Sequence, residues 1–184
     1  MTEPFGDLTL TEDYRPGAVA DVVALHVRYY GPIWGLGRPF ESTVAEQLGA
    51  FMGRLDPARD LFLCAYDESG RMQASITIDG LHGTERGGHL RWFITTEACR
   101  GSGLGRHMLA RSLAFCRARD YPGIHLTTFA GLEAARHLYE SVGFTLTKEL
   151  EEDQWGSGVR EQHFELRFRE VRSAELKGPE RAQR

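Results

Sequence analysis

The chain lacks the features that mark several function classes. Its 184 residues contain three cysteines, Cys64, Cys99 and Cys116, none at CxxC spacing. Neither a disulfide framework nor a cysteine-based metal knuckle fits that pattern, and reduced thiols in a cytoplasmic setting are expected. The seven histidines never fall at HxxH or HxxxH spacing, so no metal site is expected. No apolar run approaches the roughly 18 to 20 residues that cross a bilayer. Residues 1–10, with Glu3, Pro4 and Asp7, lack the basic-then-apolar order of a secretion signal, and no membrane association is expected. A net charge of −4 gives no global field that would draw in nucleic acid.

What remains is the composition of an ordinary globular protein, 41% hydrophobic and 26% charged. No repeat or internal linker interrupts it. One domain is expected over residues 1–168, followed by a flexible charged tail at 169–184, where apolar residues are almost absent.

Hydrophobic spacing sets the order of elements. Residues 8–14 read as a strand. Residues 18–30 place Val19, Val22, Val23, His26 and Val27 on one helical face, and Gly31-Pro32 is expected to stop the helix. A second helix is expected over 40–54. Residues 60–66 and 72–79 read as two strands joined by the turn Asp67-Glu68-Ser69-Gly70. A glycine-containing loop at 80–88 leads to a strand at 90–95, then a helix over 103–119, a strand at 124–129 and a helix over 132–142. Strands at 144–150 and 162–168 follow, separated by a polar loop carrying Trp155. The pattern predicts an α/β fold, with helices on both sides of a mixed sheet of about six to seven strands.

The segment with chemical content is Arg100-Gly101-Ser102-Gly103-Leu104-Gly105-Arg106, between a strand and a helix. A helix start presents backbone N–H groups without partners and the positive end of the helix dipole, and glycines let a phosphate approach the backbone. Arg100 and Arg106 add charge at the same mouth. A Walker loop would end in Gly-Lys-Ser/Thr, where this chain has Arg106-His107. A dinucleotide fingerprint counted from Gly101 would need glycine where Arg106 stands.

Arg-x-x-Gly-x-Gly after a strand resembles motif A of the GNAT acetyltransferase superfamily, and Ala135-x-x-x-Tyr139-x-x-x-Gly143-Phe144 resembles its second signature. The two occur in family order, and the resemblance covers about residues 8–168. Shorter segments, such as Asp56-Pro57-Ala58-Arg59-Asp60, further resemble GNAT domains fused to MarR-type regulators; this chain is expected to be a stand-alone relative.

The resemblance implies a mostly antiparallel sheet flanked by about four helices, with acetyl-coenzyme A as cosubstrate. It implies acetyl transfer to a primary amine by direct attack in a ternary complex. A catalytically silent acetyl-coenzyme A sensor or interaction module is the alternative. By resemblance, Phe93, Ile94 and Thr95 hold the pantetheine arm, and Arg100, Gly101, Ser102, Gly103, Leu104, Gly105 and Arg106 hold the pyrophosphate. Tyr139 matches the family's acid for the departing thiolate. A helical wheel places it off the apolar stripe of Leu132, Ala135, Leu138 and Val142. Glu97, just past the central strand, is the first candidate for the base, with Glu85, His89 and Asp79 as rivals. Many relatives carry Asn where this chain has Leu132, so that side-chain contact to the cosubstrate is expected to be missing. Tyr30, Trp34, Arg91 and Trp155 are the acceptor-site candidates, for a small-molecule or peptide amine. Family members often form homodimers, and nothing in the sequence points to nucleic acid or membrane as a partner.

Overall fold

The computed structural model describes residues 2–151 and 158–168. The expected tail at 169–184 and Trp155 lie outside them. Among the described residues eight strands form one sheet, flanked by five helices. The strands are β1 (Thr2–Phe5), β2 (Leu8–Thr11), β3 (Leu61–Tyr66), β4 (Met72–Asp79), β5 (Gly88–Thr95), β6 (Gly123–Phe129), β7 (Thr145–Leu150) and β8 (Glu161–Arg167). They lie in the order β1-β2-β3-β4-β5-β6-β8-β7. The helices are α1 (Ala18–Trp34), α2 (Arg38–Met52), the single turn α3 (Gly83–Arg86), α4 (Leu104–Arg117) and α5 (Glu133–Ser141). None of the described helices is long and apolar enough to cross a membrane.

Period-2 alternation sorts the core onto the two faces of the sheet. On β3, Leu61, Leu63 and Ala65 join the cluster that holds Leu104, Met108, Leu109 and Leu113 of α4. The intervening Phe62, Cys64 and Tyr66 join Val22, Phe40, Val44, Leu48 and Phe51 of α1 and α2. Both faces are therefore covered, which explains why β3 is apolar throughout rather than alternating with polar residues.

Three elements differ from the sequence expectation, the first being the single turn α3 within the expected loop at 80–88. Residues 2–5 form an extra edge strand; its Pro4 has no N–H, and an edge position tolerates that. Helix α1 runs through Pro32 and ends where the Gly35 N–H bonds Gly31 O at 2.8 Å. Pro32, with no N–H to donate, forgoes one intrahelical bond. The extra turn carries Trp34, which stacks on Tyr30 with ring centroids 5.5 Å apart.

The sheet is closed at one end and open at the other. Strands β5 and β6 run parallel and pair only at Gly88↔Ile124, His89↔His125 and Leu90↔Leu126. At that end the backbones nearly touch, since a Cβ on Gly87 would lie 2.5 Å from Gly123 O. Beyond Leu90 the strands separate. A bulge assists the separation: Ser75↔Ile94 and Thr77↔Arg91 leave one residue of β4 opposite two of β5. Trp92 in the bulge has φ 45°, a conformation that costs a bulky residue about 1–3 kcal/mol. Ser75 Oγ pins it by donating to Trp92 O at 2.8 Å. Helices α4 and α5 follow β5 and β6, so both begin at the open end, where α/β sheets place their ligands.

Candidate active site

The glycine loop enters α4 through two left-handed residues, Gly101 (φ 77°) and Gly103 (φ 84°). Side chains disfavour that conformation, which explains glycine at both positions. The turn is braced from within, since Ser102 Oγ donates to Cys99 O at 2.8 Å and accepts from Leu104 N at 3.2 Å. Ser102 N and His107 N are bonded to backbone carbonyls. The N–H groups of Gly101, Gly103, Gly105 and Arg106 have no acceptor among the described residues. Four orphan donors, the positive end of the α4 dipole and two arginines thus lie together at one end of a groove, a ready anion seat. Arg100 also stands 3.3 Å from Glu97.

From this loop a groove of about 750 Å³ runs between β5 and α5, passing Phe93, Ile94, Thr95, Gly105 and Leu138. Gly105 leaves room there: a Cβ on it would lie 3.5 Å from Leu138 and 3.6 Å from Phe93. Along this groove β5 has no β6 partner beyond Leu90, so its edge is open to an extended ligand. A second cavity, of about 410 Å³, lies across the split beneath α1 and α2. Tyr30, Phe93, Thr128 and Tyr139 line both spaces and so form the wall between them.

Tyr139 is 5% exposed and packs among Phe93, Phe144 and Phe164, with centroids 6.3, 5.7 and 6.1 Å away. The wheel reading that set it off the apolar stripe is corrected here. It is the most deeply buried residue of α5, while Ala135, Leu138 and Val142 are half-buried. Its hydroxyl makes no hydrogen bond among the described residues, and burial pushes its pKa up, so the phenol stays protonated.

A groove with an anion seat at one end, meeting a second cavity at one protonated phenol, suits a two-substrate transfer. The sequence model of the acetyltransferase (GNAT) family matches residues 19–144. The chain belongs to the GNAT acetyltransferase family. Among solved structures it resembles an acetyltransferase from Streptococcus agalactiae, with TM-score 0.69 and 20% identity over 89% of this chain and 100% of that one. It also resembles the spermidine N-acetyltransferase of Vibrio cholerae, solved with CoA and spermine, with TM-score 0.65 and 18% identity over 88% and 95%. A GNAT-family acetyltransferase from Staphylococcus aureus gives TM-score 0.67 and 13% identity over 87% and 98%. Among curated proteins none matches the chain. At these identities the structural likeness speaks for the fold alone.

Within the GNAT frame the expected site residues separate into groups. Arg100, Gly101, Gly103, Gly105, Arg106, the β5 segment Phe93, Ile94 and Thr95, Tyr139 and Leu132 all line the groove, whereas Ser102 does not and Leu104 is fully buried in the core. Glu97 does not join them. A short 3-10 turn, Glu97–Cys99, leaves its side chain 80% exposed and paired with Arg100, and it lines neither space. Sequence adjacency to β5 misled because the chain turns outward at Thr96. Glu85 lies at the opposite end of β6, beside Arg86 and Gly123. Asp79 accepts from Arg54 Nη2 at 2.5 Å and from Leu81 N at 3.1 Å. Burial acts to raise its carboxyl, but those bonds and the charges of Arg54 and Arg91 bring it below the ordinary range. His89 does line the second cavity; burial, with the neighbouring His125, pushes it down to about 3.

Of the acceptor candidates, Tyr30 and Arg91 line the cavity. Trp34 lines neither space and instead braces Tyr30 and Phe129 from behind. His26, Gln47 and Thr128 also line the cavity but were not singled out as site residues from sequence. His26 is four residues from both Val22 and Tyr30, so one helical stripe carries it to the cavity. Its Nδ1 bonds Val22 O at 2.8 Å, and burial pushes it down to about 4.

Proposed function

We propose that the protein transfers the acetyl group of acetyl-coenzyme A to a primary amine, by direct attack with both substrates bound. The observation that carries this reading is the shared wall. Among the described residues the anion-seating groove and the second cavity share Tyr30, Phe93, Thr128 and Tyr139, so a thioester in one and an amine in the other would meet beside the phenol.

The four free N–H groups of the loop, with Arg100 and Arg106, suit a pyrophosphate. The groove alongside Phe93, Ile94 and Thr95 suits the pantetheine arm, with Gly105 leaving space. The cosubstrate supplies an activated acyl thioester. As the amine nitrogen bonds the acyl carbon and the carbon–sulfur bond breaks, Tyr139 O–H donates its proton to the departing sulfur. A buried, protonated phenol with no competing acceptor is suited to that task.

The cavity provides no strong base among its described lining residues: His26 and His89 are both pushed down by burial and hold a proton weakly. The amine therefore reacts from its neutral form; the proton it loses on forming the amide passes to solvent, and solvent returns a proton to the Tyr139 phenolate. One domain over residues 1–168 carries the activity, and three free thiols support a reducing, cytoplasmic setting. Amine-dependent release of coenzyme A thiol, with an acetylated product identified by mass, tests the reading. No release with any amine, despite bound acetyl-coenzyme A, would reduce the protein to a binding module.

A further inference from the structure

The charge of the acceptor cavity is uneven. Arg91 lines it, and no Asp or Glu does among the described residues. Behind Arg91 lies a cluster in which Arg54, Arg59 and Arg91 face two buried carboxylates, Asp60 and Asp79. A third carboxylate, Asp56, is half-exposed, accepts from Ala58 N at 3.0 Å and pairs with Arg59 at 3.7 Å, away from Arg91. Asp79 is satisfied first by Arg54, at 2.5 Å, and stands 3.8 Å from Arg91. The nearest side-chain acceptor for Arg91 is the neutral amide oxygen of Gln47. Its guanidinium also lies 4.2 Å above the Trp92 ring, in the strained bulge. Arg91 is thus a fixed, half-buried cation with an incomplete counter-charge, presented to a space whose other walls include Phe40, Val44 and Phe129.

A rigid guanidinium fork in such a site favours a carboxylate, by charge-assisted and often bidentate hydrogen bonds. The same charge disfavours an acceptor that is cationic along its length, since no carboxylate among the described lining residues would offset it. We infer that the acceptor is a primary amine that also bears a carboxylate, the anionic end held by Arg91 and an apolar body lying against Phe40, Val44 and Phe129. The inference rests on the acetyltransferase reading and adds the acceptor's chemical class. Sharing a fold with an enzyme named for spermidine does not extend to this cavity.

The test compares α- and ω-amino acids with their own amides, and with spermidine, by thiol release, after calorimetry has established acetyl-coenzyme A binding. Each amide of an α-amino acid has the less basic amine, so the comparison is weighted against the inference. The acids are expected to exceed their amides by at least about tenfold in kcat/KM, and spermidine to be the poorest acceptor. Arg91→Gln should raise KM for the acid about 10- to 100-fold while leaving kcat within about threefold and acetyl-coenzyme A affinity unchanged. Asp79 keeps Arg54 in that variant, so the fold should survive. Gln47→Glu retains Arg91 but neutralises it, and should likewise erase the preference for acids. Amides or spermidine used as well as the acids would overturn the inference. So would failure of every carboxylate-bearing amine while acetyl-coenzyme A binds. Absence of acetyl-coenzyme A binding would instead overturn the reading beneath it.

Discussion

Substitution at Gly105 separates stability from cosubstrate binding. Gly105 lies in the first turn of α4. A Cβ there would meet Leu138 Cδ2 at 3.5 Å, Phe93 Cζ at 3.6 Å and Thr95 Cγ2 at 3.9 Å, all ordinary contacts. Gly105→Ala should therefore fit without strain and restrict the unfolded chain, gaining about 0.4–1 kcal/mol. For a chain of this length that is a rise of about 1–4 °C in Tm. Gly105→Leu places three further carbons toward Leu138, Phe93 and Thr95. Where they press into packed side chains they cost about 1–3 kcal/mol. Where they swing clear they occupy the groove assigned to the pantetheine arm. Acetyl-coenzyme A affinity should fall at least about 100-fold in this variant, equivalent to about 3 kcal/mol of lost contact. Thermal melts report the first effect and calorimetric titration the second. A folded Leu variant that binds acetyl-coenzyme A as tightly as the parent would show that the groove between β5 and α5 is not the cosubstrate site.

Tyr139→Phe should lower kcat about 100-fold or more, with acetyl-coenzyme A affinity and Tm little changed, because the hydroxyl holds no bond among the described residues; an unaltered kcat would remove Tyr139 from the acid role. Glu97→Gln should leave kcat/KM within about twofold across neutral and alkaline pH, since the carboxylate is solvated and distant from the shared wall; a large loss would restore it as base. His26 has its folded pKa depressed from 6.5 to about 4. The unfolded chain therefore binds the extra proton first, and stability is full above about pH 6.5 and declines as pH falls toward 4. The loss is about 3 kcal/mol at most. Denaturant titrations of His26→Leu between pH 7 and 4 should show a shallower decline than the parent by that order, and parallel curves would refute the assignment.

The sequence made the local features legible because local rules govern them. Glycine spacing gave the loop, and the turn Asp67-Glu68-Ser69-Gly70 between two strand-length runs gave the β3–β4 hairpin. The second signature gave Tyr139, though its burial depends on Phe144 and Phe164, which no helical wheel contains. The non-local features stayed hidden. The separation of β5 from β6 depends on three paired residues and a bulge pinned by Ser75, a residue 17 positions before Trp92. Gln47 joins Arg91 across 44 positions, and His26 reads in sequence as one more residue on an apolar face. Glu97 shows the converse, a neighbour of the key strand in sequence that faces away from it in space. Pro32 reads in sequence as a helix stop because proline lacks an N–H and crowds the carbonyl four residues back, yet α1 continues through it to Trp34.

The central claim, that the glycine loop and its groove hold acetyl-coenzyme A, is tested most directly by calorimetric titration of the purified protein, with ATP and NAD as controls. The account predicts saturable binding of one acetyl-coenzyme A per chain in the micromolar range, with ATP and NAD far weaker because neither fills the groove along Phe93, Ile94 and Thr95. No binding, or equal binding of all three, would contradict it.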